Sequence, residues 1–331
     1  MDERGLLDLI LTRLPELSFQ EKIKLSESIE TESELILKSI SDIEEIIGRK
    51  LPAFWDIDEV RLMAERDEKR ARQQGIQWVS WISPVYPPLL REIYDPPTVL
   101  FYKGRLPDPQ MPLVAVVGTR KPSPQAAAQA FDIGRALGNA GISVVSGLAI
   151  GIDAMSHRGN IEGRSRTVAV LGSGIDEVYP ASNRPLAGRI LETGGVLLSE
   201  YPPGTGPRKW TFPARNRIIS GMSRGVVIVE APQKSGALIT ARFALEQNRD
   251  LWVASAGVGT EEGRQILNCR GTTALAGDGA AVLHSASAIM EAWNIEAAES
   301  PDRRLADSFE EPVSAGVDLA SKLAGSLNIK L

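Results

Sequence analysis

Reactive side chains are scarce in this chain. Cys269 is its single cysteine, so an intramolecular disulfide is excluded and a reducing compartment is favoured. The two histidines, His157 and His284, lack the spacing of a metal site, and neither belongs to a pattern typical of a nucleophilic triad. The sequence therefore offers no convincing catalytic constellation, no metal site and no cofactor.

Long apolar runs are missing as well. None reaches the roughly 20 apolar residues that a membrane-spanning helix needs, and residues 1–13 do not resemble a signal peptide. Both observations predict a cytoplasmic protein with no membrane partner. With 331 residues, of which 43% are hydrophobic and 24% charged, the chain is typical of soluble globular proteins and is long enough for two domains.

Acidic residues are absent from one segment, residues 201–229, although the whole chain has a net charge of −5. That charge arises in residues 1–50, where twelve acids accompany seven lysines and arginines, and the remainder is balanced. This acid-free segment contains Arg208, Lys209, Arg215, Arg217 and Arg224, with the rings of Trp210 and Phe212 among these cations. Because cations neutralise phosphates and rings stack on bases, this segment predicts a surface for single-stranded nucleic acid.

The chain divides into three regions. Apolar residues at helical spacing predict a small helical N-terminal domain over residues 1–75, whose third candidate helix ends at Gly75. Residues 76–285 form the predicted core, opening with short strands around a proline-rich connection. Residues 286–331 are rich in alanine, serine and glutamate and predict a linker and a short tail, with one helix over 317–331.

Short apolar runs alternate with helical stretches from Leu113 onward. Such alternation predicts an α/β fold with a doubly wound, mostly parallel sheet of Rossmann type, covered on both faces. The runs are LVAVVGTR (113–120), ISVVSG (142–147), TVAVLGSG (167–174), GVLLSE (195–200), VVIVEA (226–231) and LWVASAG (251–257). The predicted helices cover residues 124–140, 152–162, 183–193, 214–223 and 237–248.

Ligands of such sheets bind beyond the carboxyl ends of the strands. Arg120 follows the first of these strands, and the acid-free segment follows the fourth, so their cations are predicted to meet in a basic groove. Phe212 or Trp210 would supply a ring on which a base stacks. In the alternative interpretation the arginines are structural and Asn216 holds a loop.

No nucleotide fingerprint accompanies these loops. The first strand lacks the dinucleotide glycine pattern, and no phosphate-loop motif occurs in the chain. Ser235 and Gly236 open a predicted helix, where either free N–H groups bind an anion or Ser235 caps the helix. Asp153 and Asp176 fit either acid–base groups or helix caps, and His157 is better explained as a structural residue.

Seven motifs taken together resemble the DNA-processing protein A family (DprA, also called Smf). They are GTR (118–120), SGLAIGID (146–153), GSGIDEVYP (172–180), SEYPPG (199–204), FPARNRIIS (212–220), VIVEA (227–231) and SGALITA (235–241). The upstream segment over residues 86–104 is similar too. Their order and spacing match over about residues 76–285, which makes the combination specific although each motif alone is common.

The resemblance implies an extended Rossmann core that binds single-stranded DNA, forms a homodimer and loads the RecA recombinase during natural transformation or homologous recombination. It implies no catalysis and no cofactor. The DNA-contacting residues that it implies are Arg120, Lys209, Phe212, Arg215, Asn216, Arg217, Ser235 and Gly236. Glycines that would let the DNA strand approach the backbone are Gly118, Gly147, Gly151, Gly172 and Gly174.

Two departures from the family pattern are visible. Many relatives end in a winged-helix module, for which residues 286–331 are too short and too polar, and residues 1–75 carry no family motif. The alternative function is that of a Rossmann-type nucleotide sensor or nucleotide hydrolase from a related superfamily. The PGGxGT signature of those hydrolases is absent from this chain.

Overall fold

The computed structural model describes residues 3–51, 55–259 and 266–295. All of these lie in one compact unit, Met1–Glu296. The helix predicted over 317–331 and most of the predicted tail fall outside the described residues. Within the described part, no helix is both long and apolar enough to cross a membrane.

The N-terminal region is helical, as predicted. Its described helices are α1 (Glu3–Arg13), α2 (Phe19–Ser28), α3 (Glu32–Leu37), α4 (Ile40–Ile47) and α5 (Ile57–Gln73). Ser18 and Ser39 begin α2 and α4 with capping boxes, in which the serine hydroxyl accepts from a backbone N–H three residues on. Gly48 ends α4 in the left-handed region at φ 83°, where glycine carries no steric penalty.

The described strands form one sheet in the order β1-β2-β6-β5-β4-β3-β7-β8-β9. The pairs from β6 through β9 are parallel, whereas β1–β2 and β2–β6 are antiparallel. This confirms the doubly wound, mostly parallel prediction. The bounds are β1 (Gln77–Ser80), β2 (Val99–Gly104), β3 (Leu113–Val117), β4 (Ser143–Ser146), β5 (Val168–Val170), β6 (Val196–Ser199), β7 (Gly225–Ile228), β8 (Asp250–Ala254) and β9 (Ala281–Leu283).

Helices cover both faces of the sheet. They are α6 (Pro88–Arg91), α7 (Pro124–Asn139), α8 (Ile152–Glu162), α9 (Arg184–Glu192), α10 (Thr211–Gly221), α11 (Gly236–Glu246), α12 (Ile266–Gly277) and α13 (Ser287–Ala292). The central strand β3 shows the division, because its residues alternate between the two faces. Val114 and Val116 join the apolar cluster that contains α7, and Ala115 and Val117 join the one that contains α10 and α11.

The segment from Ser287 onward differs from the predicted linker. Ile289 and Trp293 are buried in the same apolar cluster as β3 and α7. The indole of Trp293 packs against that of Trp252 at a centroid distance of 5.7 Å, and the Arg224 guanidinium lies 4.6 Å from the Trp293 ring. Residues 287–293 therefore belong to the core, because they bury large apolar side chains that a solvated linker does not carry.

The N-terminal helices and the sheet share one apolar cluster. It contains Leu7 and Ile10 of α1 together with Phe101, Leu171 and Leu197 of the sheet region. Within the helical region, Arg13 donates to both oxygens of Asp67, with Nε–Oδ2 at 2.6 Å and Nη2–Oδ1 at 2.7 Å. The division into separate domains over 1–75 and 76–285 stays a prediction.

His157 lies in the core rather than in a site. It is fully buried on α8, and its Nδ1 is 2.7 Å from the hydroxyl of Thr167. That hydroxyl donates to Val144 O, so Nδ1 carries the proton and donates to Thr167 Oγ1. Burial lowers the pKa of His157 to about 3, with a further contribution from the charge of Arg215. These surroundings favour the structural role that the sequence predicted for His157.

We expect acid to destabilise the protein in part through His157. Its folded pKa lies below the ordinary value, so its contribution is present above pH ~6.5 and is lost as the pH falls toward the folded pKa. Between pH ~7 and ~4.5 the free energy of unfolding should fall by about 2 kcal/mol more in wild type than in His157→Gln. Urea denaturation at both pH values measures this. The exposed His284 supplies the control, because His284→Gln should keep the wild-type loss.

Candidate nucleic-acid interface

The main cleft lies at the carboxyl edge of the parallel strands. β3 pairs with β4 on one side and β7 on the other, so the loops that follow β3 and β7 diverge and leave a crevice there. The crevice is a cleft of about 670 Å³. Its lining comes from the loops after five strands and includes Gly118–Lys121, Ala149, Tyr179, Lys209, Phe212, Asn216, Lys234, Gly236 and Asn268 of α12.

Exposed cations surround this cleft. Arg120 and Lys121 follow β3, Lys209 precedes α10, and Lys234 precedes α11. Among the residues that the structure describes, no acid forms an ion pair with any of these side chains. The cleft therefore presents positive charge that no described carboxylate neutralises, which is the charge pattern of a phosphate-binding surface.

Phe212 and Tyr179 form an aromatic pair at the same edge. Their ring centroids are 5.3 Å apart with the planes tilted by 46°. The Arg120 guanidinium carbon lies 5.9 Å from the Phe212 ring centroid, within the range of a cation–π contact. Trp210, by contrast, packs edge-on against Tyr201 at 6.0 Å and does not line the cleft.

Arg215 lines the floor of the cleft, where it is almost fully buried. Only 5% of the residue is exposed, and its guanidinium donates to Val170 O. Burial lowers its pKa to about 10, while the nearby carboxylate of Asp153 acts in the opposite direction. Asp153 accepts from Gly147 N at 3.1 Å and from Ala149 N at 3.4 Å. The Arg215 guanidinium therefore lies against Gly147 of the loop after β4 and bonds to the end of β5.

Arg217 points away from the cleft, and the structure does not bring it together with Arg215. It forms a bidentate ion pair with Glu200, at 2.8 Å and 2.7 Å. Its Nε also donates to Asp95 O at 2.8 Å. Residues 215 and 217 are two positions apart on α10, which places their side chains on different sides of the helix. The expectation that Arg217 lines the same pocket as Arg215 is thus not met, because two acids from outside the acid-free segment hold it elsewhere.

The sequence comparisons agree with this architecture. A family model described as DNA recombination-mediator protein A matches residues 77–294. The protein Smf of Synechocystis is 43% identical over 230 residues, which cover 68% of this chain and 55% of that relative. The chain belongs to the DprA/Smf family. It spans little more than half the length of that curated relative.

Two solved DprA structures resemble the fold. The X-ray structure of DprA from Streptococcus pneumoniae has a TM-score of 0.71 at 33% identity, covering 88% of this chain and 98% of that one. A DprA structure from Helicobacter pylori has a TM-score of 0.56 at 27% identity, covering 66% and 96% of the two chains. The second is described as showing a single-stranded DNA binding mode of that protein.

The glycines of the DprA/Smf motifs are explained by contacts within the protein. A Cβ on Gly172 would come within 2.9 Å of Phe212, and one on Gly147 would collide with the Arg215 guanidinium. Gly151 has φ 84°, and its bare Cα lies against the backbone of Thr119 and Arg120. Gly118 and Gly174 are similarly crowded by Ile152 and Pro202 O. These contacts explain the glycines without DNA, and the expectation that they admit a DNA strand stays a prediction.

Ser235 and Asn216 both order the start of α11. The Ser235 hydroxyl accepts from Ala237 N at 3.2 Å. Of the two roles predicted for Ser235, this contact is the one in which it caps the helix. Asn216 Nδ2 donates to Gly236 O at 3.1 Å and so holds this loop against α10. A Cβ on Gly236 would meet nothing within 4 Å, so among the predicted glycines it is the one beside open space.

Several residues of the cleft were not predicted from the sequence. Among them are Lys121, Tyr179, Lys234 and Asn268. Lys121 and Lys234 are next to predicted site residues in the sequence, and Tyr179 lies inside the GSGIDEVYP motif. Their positions just after predicted strands could therefore have identified them as residues of the cleft. Asn268 reaches the cleft from α12 and carried no such signal.

Cys269 and Glu230 contact each other in the core. Cys269 is buried, with its sulfur 3.6 Å from Glu230 Oε1. Burial raises the pKa of the Cys269 thiol to about 11, and Glu230 adds to the shift. The other Glu230 oxygen accepts from Ser123 N at 2.7 Å. In the described residues, no group of three potential metal ligands occurs.

Proposed function

We propose that the cleft binds single-stranded DNA. The observation that carries the proposal is the convergence of Arg120, Lys121, Lys209 and Lys234 on one sheet edge, beside the exposed ring of Tyr179. Cations bind the phosphates of a strand, and an exposed ring binds an unpaired base by stacking. Bases of a duplex are already stacked on one another, so the ring contributes only when the DNA is single-stranded. The binding mode described for the H. pylori relative supports the same assignment.

The cleft functions in binding rather than in catalysis, on this proposal. Asp153 is the one acid among its described lining residues, and its carboxylate accepts from the backbone amides of Gly147 and Ala149. The Glu230 carboxylate accepts from Ser123 N and contacts Cys269, and therefore points into the core. A nucleotide hydrolase, one form of the alternative function, would need an acid–base pair that these contacts do not supply.

We further propose that the protein mediates RecA loading in natural transformation or homologous recombination, acting as a cytoplasmic homodimer. Support comes from the family, which is described as a DNA recombination mediator, and from the motif resemblance over the core. Mediation requires a protein that holds the strand while leaving room for the recombinase. A cleft confined to one edge of the sheet meets this requirement, because the rest of the surface stays available.

Binding to oligo-dT should exceed binding to a duplex of the same length and should weaken steeply with salt. A change from about 50 to about 200 mM NaCl should lower the affinity for the single strand at least tenfold if three or more phosphates are neutralised. Fluorescence anisotropy with strands of about 20 nucleotides measures both effects. Equal affinity for both forms would contradict the proposal, and tight binding of a mononucleotide by calorimetry would favour the sensor.

A second arm of the same experiment addresses the recombinase. RecA-dependent ATP hydrolysis on a strand already covered by single-strand-binding protein should rise when this protein is added. An unchanged rate of ATP hydrolysis, together with normal strand binding, would contradict the proposed RecA loading. It would leave the proposed DNA binding in place.

A further inference from the structure

The ring of Phe212 is largely covered within the cleft. The backbone of Gly172 lies so close that an added Cβ would come within 2.9 Å of the ring. Arg120 lies 5.9 Å from the ring centroid, and Tyr179 lies 5.3 Å from it. A stacked base needs an open ring face, with the two planes about 3.5 Å apart. Phe212 is only partly exposed, and these neighbours restrict the part of the ring that a base can reach.

Tyr179 has the exposure that Phe212 lacks. It is 45% exposed, although its ring packs against Phe212. It stands on the loop after β5, at the same edge as Arg120 and Lys209. Trp210 is also exposed but packs against Tyr201 outside the cleft lining. Tyr179 is therefore the exposed ring that lies within the cleft.

The loop that carries Tyr179 is held at several points. Ser173 Oγ donates to Glu177 O at 2.7 Å, and Gly174 N donates to Thr205 O at 2.8 Å. On the far side of Tyr179, Asn183 Nδ2 donates to Leu148 O at 2.9 Å. Bonds to neighbouring loops on both sides of the ring give it a fixed position, which lowers the entropy lost when a base binds.

We propose that Tyr179 is the base-stacking residue of the cleft and that Phe212 supports it from behind. The inference rests on the proposed binding of single-stranded DNA and specifies how that strand lies. Phosphates contact Arg120, Lys121 and Lys234 at the ends of β3 and β7, and a base stacks on Tyr179 at the end of β5. Affinity then has one component that depends on salt and another that depends on the presence of bases.

The experiment compares two strands and two variants. The strands are oligo-dT and an abasic deoxyribose-phosphate strand of equal length, and the variants are Tyr179→Leu and Tyr179→Phe. Leucine keeps Phe212 covered while removing the ring, so the support cannot take over the stacking. We expect Tyr179→Leu to bind oligo-dT about tenfold more weakly than wild type. Both proteins should bind the abasic strand equally, and Tyr179→Phe should bind both strands as wild type does.

Trp210→Leu is the matched control, since it removes an exposed ring outside the cleft, and it should leave both affinities unchanged. A wild-type complex with 5-iododeoxyuridine should also crosslink at Tyr179, which tests the contact without any substitution. Equal losses on both strands in Tyr179→Leu, or a crosslink at Phe212 with none at Tyr179, would overturn the inference. Wild type that binds neither strand would instead refute the proposed function itself.

Discussion

Replacing Arg215 with methionine is expected to lower the free energy of unfolding by about 3–5 kcal/mol, because it leaves the buried carboxylate of Asp153 without the nearby positive charge of the guanidinium. Burial already raises the pKa of Asp153, and the Arg215 charge acts against that rise. Removing the arginine raises the pKa of Asp153 further, so the loss of stability should grow as the pH increases. Guanidinium chloride denaturation at pH ~7 and pH ~4.5 measures the loss and its sign.

Arg120→Met is the control for this prediction, since Arg120 belongs to the same cleft but is exposed. Its effect on stability should stay within about 0.5 kcal/mol. The double variant Arg215→Met with Asp153→Asn should recover part of the loss, because the amide oxygen still accepts from Gly147 N and carries no charge. Full stability of Arg215→Met, combined with weaker DNA binding, would show that Arg215 contacts DNA and not the core.

Removing three cleft cations is expected to abolish most of the affinity for single-stranded DNA. In the variant Arg120→Gln, Lys209→Gln, Lys234→Gln, each lost phosphate contact lowers the slope of log K against log salt by about 0.7. The total change in slope is about 2, which corresponds to roughly hundredfold weaker binding at about 0.1 M salt. Anisotropy titrations over a series of NaCl concentrations yield the slope and the affinity together.

A second triple variant separates the position of the charges from their number. Arg105, Arg164 and Arg166 are exposed and lie at the opposite, amino edge of the sheet, next to Gly195 and the start of β5. Their replacement by glutamine changes the net charge by the same three units. We expect it to leave the slope nearly unchanged. Similar losses in both variants would mean that overall charge, and not the cleft, governs binding.

The strands were predictable because burial leaves a clear local signal. All five residues of β3 are buried, and a strand covered on both faces is apolar throughout. The three-residue strand β9 was not predicted, since Ala281, Val282 and Leu283 make too short a run to stand out. It becomes a strand by pairing with β8, and the sequence of the segment alone does not specify that partner.

Helix α10 begins earlier than predicted. Its predicted start was Ala214, directly after Pro213. The observed start is Thr211, since proline is tolerated in the first turn, where its missing N–H has no helical partner. The shift places Phe212 on the first turn of the helix, where its ring packs against Gly172 and Tyr179.

The arginines of the acid-free segment show the main limit of sequence reasoning. A window of sequence reveals charge but not the acids that approach it from elsewhere in the chain. Asp95 and Glu200 neutralise Arg217, and Arg215 is buried at the cleft floor, where the charge of Asp153 acts on it. Lys209, from the same segment, remains exposed and lines the cleft. Cations that are close together in the sequence thus differ in burial and in ion pairing.

The residue pattern of this chain determined its fold class, its helical N-terminal region and the edge of the sheet where cations collect, because periodicity and strand-end position are local properties. Tertiary structure alone decided which cations stay exposed, which glycines accommodate other parts of the chain and which ring presents an open face. Those outcomes depend on contacts between residues far apart in sequence, such as Arg217 with Asp95 and Phe212 with Tyr179. Burial and pairing are properties of such contacts, so no single segment specifies them.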